Sequence, residues 1–256
     1  MYDIDTRVRV LALLESGRSL NSVSKQTGVA RATIREWQKR LLPRGRVASS
    51  CCRCQSSPQE PADPAAYAYL LGLYLGDGCL STGRRGVHTL RIACADTWPG
   101  LIRACAVAMA SVLPNNVWRT QCEGCVAVSS SSKHWTCLFP QHGPGKKHER
   151  HIFLENWQQE VVDAHPWAFV RGLIHSDGSR IINWTQRTIA GELKRYEYVR
   201  YFFTNRSDDI RGLYCATLDT LGVEWTVLHR DKRALNISVA RKASVALMDR
   251  HVGPKY

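Results

Sequence analysis

Two Asp-Gly dipeptides, Asp77-Gly78 and Asp177-Gly178, stand 100 residues apart, each closing an apolar run. Carboxylates brought side by side repel, so such a pair shares a proton or is neutralised by a divalent cation. Hard oxygen donors of this kind suit Mg²⁺, whose remaining positions fill with water and phosphate oxygens. The alternative is that each Asp only caps its own helix. Their recurrence in register within a longer repeat favours the paired reading.

The elements that must position them are legible around the two dipeptides. Asp63-Pro64-Ala65-Ala66-Tyr67-Ala68-Tyr69-Leu70-Leu71-Gly72-Leu73-Tyr74-Leu75-Gly76-Asp77-Gly78 aligns with residues 163–178, in which Trp167, Ala168, Phe169, Gly172 and Leu173 recur in place. Pro64 and Pro166 each open a helix in its first turn. These helices are apolar nearly all round, as buried helices are. Gly72 and Gly76 in one, Gly172 and Ser176 in the other, are small residues four apart that let two backbones approach closely. Packing the helices in parallel through that face brings Asp77 and Asp177 together, and each following glycine is expected to form a left-handed cap.

A second stretch of the repeat, Val126 to His142, matches Leu235 to His251 at an offset of 109, so about nine residues are inserted in between. Each copy reads as α-β-β-α-β-β-α, an α+β unit with an antiparallel sheet. Arg84, Arg85, Arg91 and Arg119 are candidates for the open face of the first sheet. Arg180, Arg187, Arg200, Arg230, Lys232 and Arg233 are candidates for the second; each taken singly also fits a solvated surface charge.

Residues 5–40 read as three short helices. Val8, Leu11, Ala12 and Leu14 form the inner side of the first, Ser19 caps the second, and Thr27-Gly28-Val29 makes the turn before the third. Ile34 and Trp37 face inward, while Arg31, Arg35, Lys39 and Gln38 form an outer face suited to a major groove. The pattern from Ser19 to Trp37 resembles helix-turn-helix segments of transposases and resolvases; a solvated basic face on a small bundle is the alternative. The expected organisation is a helix-turn-helix domain at 1–42, a linker at 43–62, and repeats at 63–162 and 163–256.

Charge follows the same division. The chain has 256 residues and a net charge of +13. Residues 1–50 carry +6, residues 51–178 carry +1 and residues 179–256 carry +6. Two basic blocks point to an anionic partner, nucleic acid before membrane. Hydrophobic content of 44% excludes a disordered chain, and the longest apolar stretch is about half a membrane span. With no secretory or transit signal read at Met1–Asp5, a cytoplasmic location is expected, nucleoid-associated if bacterial; the internal pseudo-two-fold repeat makes a monomer the expected form. Cys51-Cys52-Arg53-Cys54 has the spacing of half a zinc site, with Cys122 and Cys125 as the nearest second half. Structural Zn²⁺ on Cys51 and Cys54 is the lesser reading, and reduced thiols the preferred one.

The runs Leu70–Gly78 and Val170–Gly178 together resemble the paired motif of LAGLIDADG homing endonucleases, in their single-chain, two-repeat form. Phe203-Thr204-Asn205-Arg206-Ser207-Asp208-Asp209-Ile210 is similar to a segment of that family's second repeat. The resemblance implies a saddle of two sheets on double-stranded DNA, with phosphodiester hydrolysis supported by Mg²⁺ or Mn²⁺. It places the metal-binding, catalytic acids at Asp77 and Asp177. Leu75 and His175 depart from the motif at its sixth position, which is not the metal ligand. The family's supporting basic residue has no fixed motif; Lys133, Lys242 and Lys232 are candidates and are also counted with the DNA-binding residues. A regulator built from a disarmed LAGLIDADG domain and a helix-turn-helix is the competing expectation. Retention of both acids favours the enzyme.

Overall fold

The computed structural model describes residues 4–39, 61–189, 191–230 and 233–256. The chain divides into two compact units, residues 1–52 and 53–256.

In the first unit, α1 (Ile4–Glu15), α2 (Leu20–Thr27) and α3 (Arg31–Lys39) enclose a small core of Val10, Val23, Val29 and Ile34. The Ser19 hydroxyl accepts from the Ser22 amide at 3.3 Å, and Gly28 turns the chain at φ 70°, a left-handed conformation that a side chain would strain. The inner face of α1 is rotated from the sequence expectation. Val8 is 60% exposed and Ala12 is exposed, whereas Leu14 meets the core as expected, joined by Val10 and Leu13. The run Val8–Leu14 is apolar at six of seven positions, so two helical registers compete, and packing against Val23, Val29 and Ile34 selects one.

The second unit contains the repeat twice. The first copy is α4 (Pro64–Asp77), β1 (Gly78–Thr82), β2 (His88–Ala95), α5 (Pro99–Val112), β3 (Val117–Cys122), β4 (Cys125–Ser132) and α6 (Trp135–Leu138). After α7 (Asn156–Ala164) the second copy follows as α8 (Pro166–Asp177), β5 (Gly178–Ile189), β6 (Glu192–Thr204), α9 (Asp208–Thr220), β7 (Thr226–Arg230), β8 (Arg233–Val239) and α10 (Lys242–His251). The antiparallel sheets have the same order, β1-β2-β4-β3 and β5-β6-β8-β7. The αββαββα architecture expected from the sequence is therefore present in both copies. The last helices differ: α6 stops at Leu138 because Pro140 disfavours helical geometry at Phe139.

One core runs through both copies, and α4 is at its centre, with every residue from Tyr67 to Leu75 buried. The insertion falls in the second copy's first hairpin, which spans 26 residues from Gly178 to Phe203 against 15 from Gly78 to Ile92; two fewer residues before β8 leave the net offset of nine. Strands β5 and β6 pair over twelve positions, against five for β1 and β2.

Candidate active site on the helix seam

Helices α4 and α8 meet because their backbones can nearly touch. A Cβ added at Gly72 would stand 2.5 Å from the Phe169 carbonyl oxygen and 2.7 Å from the Leu173 nitrogen. One added at Gly172 would collide with the Tyr69 carbonyl oxygen, and one at Gly76 with the Ser176 side chain. These contacts advance together along both helices, so the two run side by side in the same direction. The Ser176 hydroxyl lies 2.9 Å from the Leu173 carbonyl of its own helix and 3.5 Å from the Gly72 carbonyl across the seam.

The glycines that end the helices are not left-handed caps. Gly78 (φ −89°, ψ 151°) and Gly178 (φ −102°, ψ 171°) are extended and begin β1 and β5. Glycine is needed there for space: a Cβ at Gly78 would lie 2.5 Å from the Tyr74 Cα, and one at Gly178 2.7 Å from the Ile174 Cα. The strand folds back over the last helical turn, leaving each aspartate at the lip of the seam.

Asp177 lies across the seam, its Oδ2 3.0 Å from the position a Gly76 Cβ would occupy. The same oxygen accepts from Asn205 Nδ2 at 2.6 Å. Asn205 is itself fixed, its Oδ1 accepting from the Ser207 amide at 2.8 Å. Asp77 is open to solvent at its surface, yet the protein around it displaces much of its hydration. That desolvation, and then the Asp177 charge, lift its carboxyl to about 6. Burial also raises Asp177, against the Asn205 hydrogen bond and two lysines that lower it.

Those lysines, Lys147 and Lys255, are the functional side chains that the sequence reading missed. Lys147 Nζ donates to the carbonyls of Gly76 and Gly78 at 2.8 Å each and to that of Tyr74, closing the C-terminus of α4. Lys255 Nζ donates to the Ser176 carbonyl at 2.9 Å near the end of α8. Each ammonium interacts with both carboxyls. Burial pulls Lys147 down to about 8 against the carboxylates that raise it, and Lys255 shifts the same way for the same reasons. A sequence signal exists for the pair: His142-Gly-Pro-Gly-Lys-Lys and His251-Val-Gly-Pro-Lys both follow the last helix of their copies.

Lys133 and Lys242 are exposed, at or just before the start of their helices, and Lys147 and Lys255 hold the places beside the carboxyls. Lys232, Cys51 and Cys54 lie outside the described residues. Arg31 and Arg35 are exposed on α3, and Lys39 is its last residue. Cys122 and Cys125 face each other across the β3–β4 hairpin. Strand parity corrects two other arginines. Arg119 pairs with buried Val128 on the helix-covered face, and Arg180 turns to that face in its own sheet, donating to Asp249 of α10 at 2.7 Å. His175 at the motif's sixth position is buried, with Nδ1 2.9 Å from Tyr69 Oη; desolvation and then Arg171 hold it neutral, down to about 3. It packs the seam.

A cavity of about 500 Å³ opens beside the seam, lined by Asp177, Asn205, Lys146, Lys147, Arg150 and Arg206 among others. Four cations around one half-buried carboxyl suit a polyanion whose charge is concentrated at phosphates. The donor set also fits Mg²⁺ or Mn²⁺, which need only one or two carboxylates and otherwise keep water and phosphate oxygens. Asp77 and Asp177 would hold the ion, which removes the charge repulsion that raises Asp77.

The transposase helix-turn-helix family model HTH_Tnp_IS630 matches residues 1–49. A search of curated proteins finds no match. Among solved structures the chain is similar to the homing endonuclease I-DmoI in complex with DNA and Mn, at 16% identity and TM-score 0.49, over 75% of this chain and 98% of that one. It is similar to the N-terminal LAGLIDADG domain of DUF199/WhiA at 11% identity and TM-score 0.45, covering 77% and 87%. For the LAGLIDADG meganuclease I-AabMI bound to uncleaved DNA the values are 12%, 0.45, 72% and 83%.

Proposed function

We infer that the chain is a site-specific DNA endonuclease of the homing type, hydrolysing phosphodiester bonds of duplex DNA with a divalent cation. The observation that carries this is the seam: two helices meeting at glycines present two carboxyls, each within the influence of the same two lysines. In this reading residues 1–42 are a DNA-binding helix-turn-helix, 43–62 a linker, and 63–162 and 163–256 the two halves of the nuclease. It acts as a monomer in the cytoplasm. Among the described residues no helix is long and apolar enough to cross a membrane.

The chemistry divides among named groups. Asp77 and Asp177 bind the cation; when bound, it supplies Lewis acidity at the scissile phosphate and at the attacking water. Asn205 fixes the orientation of Asp177 by holding one oxygen. Lys147, with a pKa of about 8, keeps its charge at neutral pH and stabilises negative charge growing on the phosphate, as does Lys255 for the other strand. Arg150 and Arg206 at the cavity hold flanking phosphates.

The helix-turn-helix motif also favours a second reading, a regulator that binds DNA and leaves it intact. A randomised duplex library incubated with the protein and Mg²⁺ or Mn²⁺ separates the two. The nuclease yields new ends at one enriched sequence, and the regulator enriches a bound sequence whose strands stay whole.

A further inference from the structure

We propose that the β5–β6 hairpin is a second-repeat arm that lengthens the DNA contact on one side, so that the target consists of two unequal half-sites. This rests on the DNA-cleaving reading above and extends it to the shape of the substrate. In the first copy β4 accompanies β2 along its whole length, from Ala95 to His88. In the second copy β8 pairs with β6 only over Tyr201–Thr204. Beyond Tyr201, residues 181–189 and 192–200 continue as a bare two-stranded ribbon. Nine further pairs at about 3.3 Å each extend it roughly 30 Å past the sheet. Measured from Gly78 and Gly178, the second hairpin has seven more pairs than the first. At about 3.4 Å per base pair that corresponds to roughly seven base pairs of extra reach.

The charges distinguish the ribbon's two faces. On the face continuous with the helix-covered side, Arg180 is bound to Asp249 at 2.7 Å and Arg195 to Glu197 at 2.7 Å, so those cations are neutralised within the protein. On the opposite face are Arg187, Lys194 and Arg200, with no ion-pair partner among the described residues, and Glu192 as the one acid. Arg187 and Lys194 are directly opposed in register. Like charges so placed destabilise a ribbon, a cost that an external anion removes. The Arg200 guanidinium lies over the rings of Tyr198 (5.4 Å) and Phe202 (5.6 Å), and its Nε is buried without a hydrogen-bond partner. Two rings thus hold a planar donor in place, suited to a phosphate or a guanine edge. A two-stranded ribbon is an element that a major groove admits.

Hydroxyl-radical footprinting of the full chain on its enriched duplex tests this. The protected stretch is expected to run about seven base pairs further on one side of the cut. Replacing Trp184–Glu197 with Asn-Gly, which closes a tight hairpin at the Asn183–Tyr198 pair, should remove only that distal protection. Arg187→Gln with Lys194→Gln and Arg200→Gln leaves the backbone intact and should lower the log-log salt slope by roughly three while the cut position stays the same. Arms of equal length, or a triple variant with the parent's salt slope, would overturn the inference and leave the nuclease reading standing. A chain that protects no DNA would overturn both.

Discussion

Lys147 and Lys255 set the character of the seam because each satisfies helix-terminal carbonyls while facing the carboxyl pair. Lys147→Met should lower the cleavage rate on the order of 10²- to 10³-fold, the usual effect of losing one such stabilising group. Lys133→Met, an exposed change, should leave the single-turnover rate unchanged. Asp77 gives a pH signature. Its folded value of about 6 exceeds the unfolded 3.8, so its contribution to stability is fully present below pH 3.8 and is lost as pH rises through 6. In a chelator, Asp77→Asn should therefore gain melting temperature over the parent between about pH 4 and 6, with the gap constant above that. A gap that does not vary with pH would contradict the assignment. The aspartates were legible in the sequence because a repeat marked them twice. The lysines were not: they come from segments after the last helix of each copy, and only folding carries Lys147 back to carbonyls more than 65 positions earlier.

At the scale of elements, the seam depends on two backbones with no room between them. Gly172→Ala would put a methyl group into the Tyr69 carbonyl, which is backbone and cannot rotate away. The expected cost is about 1–3 kcal/mol, read as a lower denaturant midpoint with unchanged slope. Gly212→Ala, on α9 with nothing within 4 Å of the added carbon, is the control and should be neutral or slightly stabilising. The small-residue spacing made this interface readable from the sequence. The role of Gly78 and Gly178 was not, because a left-handed cap and a close strand-over-helix approach both call for glycine. Side-chain parity in β3 and β5 was likewise hidden until register fixed it, which is why Arg119 and Arg180 moved to the covered face.

Over the whole molecule the charge of +13 sits in two basic blocks, one in the helix-turn-helix segment and one in the second repeat. Arg31→Ala with Arg35→Ala should weaken duplex binding and reduce the log-log salt slope by about two, without altering where the DNA is cut. An unchanged slope would remove the helix-turn-helix from the interface. The repeat, the two units and the net nine-residue offset were all visible in the sequence; that a longer hairpin causes the offset needed the strand pairing. The central claim is that the two seam carboxylates cut DNA. The direct measurement is cleavage and binding, in parallel, of the enriched duplex with Mg²⁺ by the parent, Asp77→Asn and Asp177→Asn. The parent should cut both strands, and each variant should bind with parent-like affinity and lose cleavage. A parent that binds tightly and leaves both strands whole in Mg²⁺ and Mn²⁺, or variants that cut at the parent's rate, would contradict it.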